Sequence, residues 1–308
     1  MTEVTPIASV IIPTYGRPEA IADCLDALTR QTMPFGTYEV IIIDDGSPSP
    51  LTLKAESRYC NMRLIRQENA GPAAARNRGA AGANGEILVF TDDDCLPDPD
   101  WLEKLVAVVK AQPNTLAGGS TRNGLVRNAY AATSQLILDM VYSHFNSDKN
   151  NAGFFTSNNM ACRRLHFIEL GGFDEAYEFA SEDRDICDRW RLKLWPLVWE
   201  KNARIEHRHA LTLIRFIKQH VAYGRGAYKY REARKARASG SMAHDLRLHW
   251  LIPGYLLRDW SHSRKATHGL KTILLLAVWQ VANLVGFLMA SVEGFRAKRR
   301  RSSFGGVS

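Results

Sequence analysis

Three consecutive aspartates, Asp92-Asp93-Asp94, follow directly on the run Glu86-Ile87-Leu88-Val89-Phe90-Thr91. Three carboxylates so close together repel one another unless something cationic sits between them. Alternate residues of an extended chain point the same way, so Asp92 and Asp94 are expected to reach one ligand. A hard divalent cation, Mg²⁺ or Mn²⁺, takes oxygen ligands, and Mg²⁺ typically uses one or two carboxylates together with substrate phosphates. The competing account is a solvated acidic turn at a strand end, which needs no ion. Two further groups carry chemistry-bearing side chains. Ser181-Glu182-Asp183-Arg184-Asp185 also reads as an ordinary acidic helix start before Arg189, Arg191 and Lys193. Glu206-His207-Arg208-His209 is the other, although a lone histidine is usually polar surface or satisfied core.

These groups need a scaffold whose strand ends converge. Ala8 to Ile12 reads as a buried strand ending at Pro13, followed by a helix with Pro18 at its first position and Ile21, Cys24, Leu25 and Leu28 on one face. Tyr38 to Ile43 is a second strand, stopping at Asp44-Asp45-Gly46-Ser47. Met62 to Ile65 is a third, Arg76 to Ala83 is helical, and Glu86 to Thr91 is a fourth strand. Asp98-Pro99-Asp100 is expected to supply an N-cap and first-position proline for a helix that buries Trp101, Leu102, Leu105, Val108 and Val109. A helix from Ala129 to His144, a loop over 146–151 and a strand at Pro196 to Trp199 follow. Strands alternating with helices indicate a parallel sheet with crossover helices. In such sheets ligands sit beyond the carboxyl ends of the strands, at a switch in strand order.

Several separate segments, in order, carry a family likeness. They are Val10-Ile11-Ile12-Pro13-Thr14-Tyr15-Gly16-Arg17, Asp44-Asp45-Gly46-Ser47, Asn69 to Gly79 with Arg76-Asn77-Arg78-Gly79, and Thr91-Asp92-Asp93-Asp94. Further on come Ser157-Asn158-Asn159 to Arg164, Gly171-Gly172-Phe173-Asp174-Glu175 and Ser181 to Asp185. Over about residues 7–210 the chain resembles the inverting family 2 glycosyltransferases of GT-A fold, an α/β nucleotide-diphospho-sugar transferase fold with a Rossmann-like mixed sheet.

The resemblance implies a catalytic domain over 1–210, with a donor half over about 1–120 and an acceptor half over about 121–210. It places Pro13, Thr14, Tyr15 and Arg17 beside the nucleotide, Asp45 on the base, and Arg76 against the base or diphosphate. It puts Asp92 on the ribose or metal and Asp94 on the cation bridging the diphosphate. Asp93 fills the variable middle position, so which two of the three bind stays open. Asp183 matches the catalytic base, and His207, with His209 second, matches a further metal ligand or diphosphate contact. A helix N-terminus favours a charged carboxylate, which lowers the proton affinity of Asp183; burial on acceptor binding would offset that. Arg76 as a plain helix-surface arginine is the alternative for that residue. Asp185 and Arg189 read as a structural pair, and Ile186 and Trp190 as core. Ile186 stands where processive synthases carry Gln before Arg189-Trp190, which argues for one sugar per encounter.

Two rivals share parts of this pattern. A sugar-nucleotide nucleotidyltransferase would want a Gly-rich, Lys-bearing phosphate loop after the first strand, where Pro13 to Pro18 stands instead. A dinucleotide-binding domain would want G-x-G-x-x-G at the same place. A non-catalytic membrane-associated partner is the remaining alternative.

Composition divides the chain further. Residues 211–308 hold 18 basic and 4 acidic side chains, against 22 and 28 in residues 1–210, within a total of +8 over 308 residues. The basic tail suits an anionic membrane surface better than nucleic acid, because it also contains an uncharged apolar stretch, Ile273 to Val292, long enough to cross a bilayer. Cations on both sides of that stretch fit a single crossing poorly, leaving an in-plane helix, a re-entrant helix or one span as readings. Leu211 to Arg237, with basic, aliphatic and tyrosine residues interleaved, suits an amphipathic helix pair. Trp250 to Leu257 and Trp260 are of interfacial type. Five scattered cysteines with no C-x-x-C pair, and an N-terminus without a basic leader, predict reduced thiols and the cytoplasmic face of a membrane. The expected partners are a nucleotide-sugar donor and a glycan or lipid-linked acceptor.

Overall fold

The computed structural model describes residues 5–52, 61–177, 180–240 and 269–304. It divides into two compact units. The first comprises residues 1–126, 137–178 and 182–209; the second comprises 127–136, 179–181 and 210–308.

The first unit is built on strands β1 (Ala8–Thr14), β2 (Tyr38–Asp45), β3 (Met62–Gln67), β4 (Ile87–Phe90), β5 (Cys95–Pro97), β6 (Leu116–Asn123), β7 (Met160–Arg163) and β8 (Leu197–His207). They form one eight-stranded sheet in the order β3-β2-β1-β4-β7-β6-β8-β5. β3, β2, β1 and β4 run parallel, whereas β7 is antiparallel to both β4 and β6. Both β1 and β2 are buried along their whole length. That is why they read as unbroken apolar runs rather than alternating ones. Helices α1 (Pro18–Thr29), α2 (Pro72–Ala81), α3 (Trp101–Ala111), α5 (Arg164–Glu169) and α6 (Glu182–Leu192) complete this unit. Helix α4 (Ala129–Phe145) begins in the second unit and ends in the first. Pro18 occupies the start of α1, and Ile21, Cys24, Leu25 and Leu28 are buried against the β1 and β2 core.

β1 lies between β2, which follows it in sequence, and β4, which comes later. Its carboxyl end is therefore the switch point, and residues 13–17, 44–47 and 91–94 all emerge there. Gly46 makes the β2 exit possible. Its φ is +75°, and a Cβ there would meet the Asn69 backbone nitrogen at 2.7 Å, so only glycine lets the two loops touch.

Four local expectations change. Asp92-Asp93-Asp94 lie in a turn between β4 and β5, not in extended chain, so the alternation argument does not apply to them. Helix α3 starts at Trp101, and Asp98 instead pairs with Arg122 at 2.6 Å. The strand expected at Pro196 to Trp199 is eleven residues long and carries His207 at its end. The helix pair expected over 211–237 is one continuous helix.

The second unit contains that helix, α7 (Leu213–Arg237), and α8 (Gly269–Phe304). Thr212 caps α7, its side chain accepting from the Arg215 amide at 3.3 Å. Among the described residues, α8 is long and apolar enough, over Gly269–Ala297, to cross a membrane by length and composition. Cys60, Trp250 to Leu257 and Trp260 lie outside the described residues. The other four cysteines are free and buried.

Candidate active site

The acidic turn after β4 is held by two arginines from different elements. Arg17, just after β1, places its guanidinium 2.6 Å from Asp93 and 2.7 Å from Asp94. Thr14, the last residue of β1, donates to Asp93 at 2.6 Å. Arg76, in the middle of α2, lies 2.6 Å from Asp92 and 3.1 Å from Glu182 at the start of α6. Ser157 donates to the same Glu182 oxygen at 3.2 Å. The arginines differ in setting: the Arg17 side chain is 46% exposed and that of Arg76 only 4%.

Arg76 is thus turned inward as a bridge joining the Asp92 turn to the Glu182-Asp183 helix start. Its guanidinium also sits 5.8 Å from the Phe173 ring. Its neighbour Asn77 clasps the Gly-Gly-Phe-Asp-Glu segment. The Asn77 amide donates to the Phe173 carbonyl at 2.8 Å and to Glu175 at 2.9 Å, and accepts from the Phe173 amide at 2.9 Å. Segments distant in sequence are brought together by this pair of α2 residues.

Electrostatics sort the carboxylates. Burial pushes Asp93 up to about 7 against the opposing pull of Arg17 and Thr14. Burial also opposes the charge on Asp94, but the hydrogen bond from His207, its charge, and Arg17 outweigh that and hold Asp94 well below the usual carboxylate range. Burial raises the half-buried Asp183 to about 7, and neighbouring Glu182 adds to the rise, while Arg184 and its backbone amide oppose it. The expectation that a helix start lowers its proton affinity is therefore overridden by desolvation. His207 is raised: burial works against its charge, but Asp94 overcomes it. Burial, then the charge of His207, lowers His209 to about 4.

His207 Nε2 lies 3.2 Å from Asp94 Oδ1. One ligand atom each from Asp94, Cys95 and His207 fall within 4.8 Å of one another, as a metal site requires. A carboxylate and an imidazole suit Mn²⁺, and the carboxylate alone suits Mg²⁺. The Cys95 thiol is pushed well above its ordinary value by burial and then by Asp94, and a soft sulfur is a poor match for a hard cation such as Mg²⁺ or Mn²⁺. Asp92 faces Arg76, Asp93 faces Thr14 and Arg17, and Asp94 faces both Arg17 and His207. Asp94 and His207 are the carboxylate and imidazole that geometry brings within ligand reach of each other.

Pro13 is buried at the end of β1 and Tyr15 is exposed beside it. The Asp45 carboxylate accepts from Gln67 at 2.8 Å and from the amides of Ala70 and Gly71 at 2.9 Å each, fixing the loop that leads into α2. Its neighbour Asp44 accepts from the Ser47 and Leu51 amides and from Arg66. Asp185 and Arg189 form a pair at 2.7 Å with Asp185 buried, and Ile186 and Trp190 are fully buried. Glu182 is the site residue missed from sequence, and Thr14, expected beside the nucleotide, is tied to Asp93. Glu182 stands 106 positions from Arg76, a pairing that no local periodicity announces, and its only signal is adjacency to Asp183.

A mixed sheet with a β1 switch point and an acidic turn at the end of β4 defines a GT-A type fold. Its likeness to solved structures includes the mannosyltransferase PcManGT from Pyrobaculum calidifontis in complex with GDP-Man and Mn²⁺. The TM-score is 0.65 at 19% identity, over 95% of this chain and 88% of that one. The family description "Glycosyl transferase family 2" matches residues 9–171, and the chain belongs to that family. Among its relatives, glycosyltransferase AglE of Haloferax volcanii is 40% identical over 124 residues, 39% of this chain and 41% of AglE. The glucosyl-dolichyl phosphate glucuronosyltransferase of the same organism is 23% identical over 228 residues, 65% of this chain and 68% of that protein. The chain spans under half the length of several of the curated relatives it matches.

Proposed function

We propose that residues 1–210 transfer a sugar from a nucleotide-sugar donor to an acceptor hydroxyl with inversion, with Asp183 as the base. The observation that carries this is the Arg76 bridge. One buried guanidinium contacts both Asp92, in the acidic turn, and Glu182, the neighbour of Asp183, so the donor-side acids and the base belong to one crevice. A carboxylate raised to about 7 is matched to taking a hydroxyl proton near neutral pH. As Asp183 accepts that proton, the acceptor oxygen bonds to the anomeric carbon on one face and the bond to the diphosphate oxygen breaks on the other.

Asp94 and His207 would hold Mg²⁺ or Mn²⁺, with Asp92 or Asp93 completing the set. Bound there, the cation supplies charge neutralisation of the departing diphosphate. Pro13, Thr14, Tyr15, Asp45 and Arg17 line the donor side. A relative named as a glucosyl-dolichyl phosphate glucuronosyltransferase, together with the apolar helix α8, favours a lipid-linked or other cell-envelope glycan as acceptor, met at the cytoplasmic face of a membrane.

The test is transfer of labelled sugar from a panel of nucleotide donors to extracted lipids and to soluble saccharides, with wild type and Asp183→Asn. Transfer to lipid by wild type alone supports the reading. Transfer retained by Asp183→Asn removes Asp183 as the base. Product formed only with soluble saccharide removes the lipid acceptor. An inactive wild type across the panel favours a non-catalytic partner.

A further inference from the structure

The second unit answers how the apolar helix meets a membrane. Helix α8 contacts α7 along one face and leaves the opposite face bare. Leu275, Leu276, Trp279 and Ala282 are buried, whereas Ile273, Leu274, Val281, Leu284, Leu288 and Val292 are exposed. At 100° per residue the exposed set falls on one arc and the buried set on the other.

The two helices meet backbone to backbone at the middle of the apolar stretch. A Cβ on Gly224 would stand 2.0 Å from the Asn283 carbonyl oxygen, and one on Gly286 would stand 2.0 Å from that of Val221. Close approach through small residues fixes the crossing there. An ion pair locks it, Arg225 contacting both Glu293 oxygens at 3.1 and 2.8 Å. Arg231 lies over the Phe287 ring, 5.8 Å from its centre.

This docking disfavours a simple crossing. Asn283 is the midpoint of the 273–292 stretch, so a spanning α8 would carry Val221 to Arg225 to the bilayer centre. Lys218, Lys229 and Arg231 would follow, within about 10 Å along α7. Helix α7 carries eight basic residues and one acidic residue in its 25, and each charge drawn into hydrocarbon is costly. A helix lying in the interface keeps all of them out of the hydrocarbon. The exposed cations at its two ends, Lys271 and Arg296, then both meet headgroups, a situation that a span cannot offer to one leaflet.

We propose that the α7–α8 hairpin is an in-plane anchor. The bare face of α8 sinks into one leaflet of an anionic bilayer, the exposed cations at its two ends, Lys271 and Arg296, meet the phosphates, and α7 packs on the opposite face of α8, on the water side. The partner is a lipid surface, selected by charge complementarity as well as by the apolar face.

Depth along the helix is the test, and it does not depend on sugar transfer. The full chain, with Cys60→Ser to remove the cysteine outside the described residues, would carry a nitroxide at Leu274→Cys, Val281→Cys or Val292→Cys. It would be bound to phosphatidylcholine vesicles containing phosphatidylglycerol. The expected result is one shared shallow depth, about 5–10 Å below the headgroups, at all three positions, with binding that weakens as salt rises. A label at 281 near the bilayer centre, with 274 and 292 towards opposite surfaces, would overturn the proposal in favour of a span. The double variant Leu284→Glu/Leu288→Glu should lower vesicle partitioning by about tenfold or more at an unchanged melting temperature. Unchanged partitioning would overturn the proposal. So would absent vesicle binding together with a dimer in buffer that the double variant dissolves, which would make the bare face a contact between copies.

Discussion

Two arginines grip one acidic turn, and they do so differently. Arg76 is sealed between Asp92 and Glu182 with 4% of its side chain exposed, while Arg17 reaches Asp93 and Asp94 from the rim with 46% exposed. A buried guanidinium that bridges two carboxylates cannot leave without abandoning both, so Arg76 is architecture. A rim guanidinium can trade carboxylate for phosphate at little cost. Arg17 holds the charge of Asp94 in the position where a cation and a diphosphate would bring their own, its own side chain reaching water while Asp93 and Asp94 are buried.

The contrast can be broken most forcefully at Asp183, the proposed base, whose neighbour Glu182 is held by Arg76. Asp183→Asn is expected to lower the transfer rate by about 10²- to 10⁴-fold, read from initial rates. Because burial raises the folded-state pKa of Asp183, the ionised carboxylate disfavours folding, and its contribution favours the folded state at low pH. That contribution is lost as pH climbs from the ordinary carboxylate range of about 4 towards 7. The same variant should therefore melt no lower than wild type at pH 8. In wild type the rate should rise as pH passes upward through about 7, when Asp183 becomes free to accept a proton.

Arg76→Gln comes next. It leaves Asp92 and Glu182 without their shared partner, and denaturant unfolding should show a loss of about 3–5 kcal/mol. A loss below 1 kcal/mol would mean that the bridge is not structural. His207→Ala should raise the Mn²⁺ concentration giving half-maximal rate by about tenfold, read by titration after chelation. The smallest effect on stability belongs to Arg17→Gln, within about 1 kcal/mol of wild type. Affinity for a nucleoside diphosphate should nonetheless fall in that variant, as calorimetry would show. If Arg17→Gln destabilised the fold as much as Arg76→Gln, the distinction between the two would disappear.

Much of this was legible in the residues. The apolar runs of β1, β2 and β4 and the helix start at Pro18 follow from local pattern, and so does the convergence of Asp44-Asp45, Asp92-Asp94 and Pro13 to Arg17 at one sheet edge. The geometry of the acidic turn was not. Extended alternation would aim Asp92 and Asp94 at one ligand, but the chain turns immediately after Phe90 and sends them to Arg76 and to His207 with Arg17. Asp44 and Asp45 look alike in sequence, yet one braces Arg66 and the Ser47 turn while the other pins the loop before α2. The interleaved basic, aliphatic and tyrosine residues of 211–237 suit a helix pair, yet α7 runs on through Gly224 and Gly226. Gly224 serves the close approach of α8 instead, a tertiary reason that no window of sequence contains.

The central claim, that Asp94 serves a cation-dependent diphosphate site alongside a separate base, is tested most directly by calorimetry of nucleoside diphosphate binding with and without Mn²⁺. Wild type and Asp183→Asn should bind equally and only with the metal, whereas Asp94→Asn should lose binding. Metal-independent binding that survives in Asp94→Asn would contradict the account.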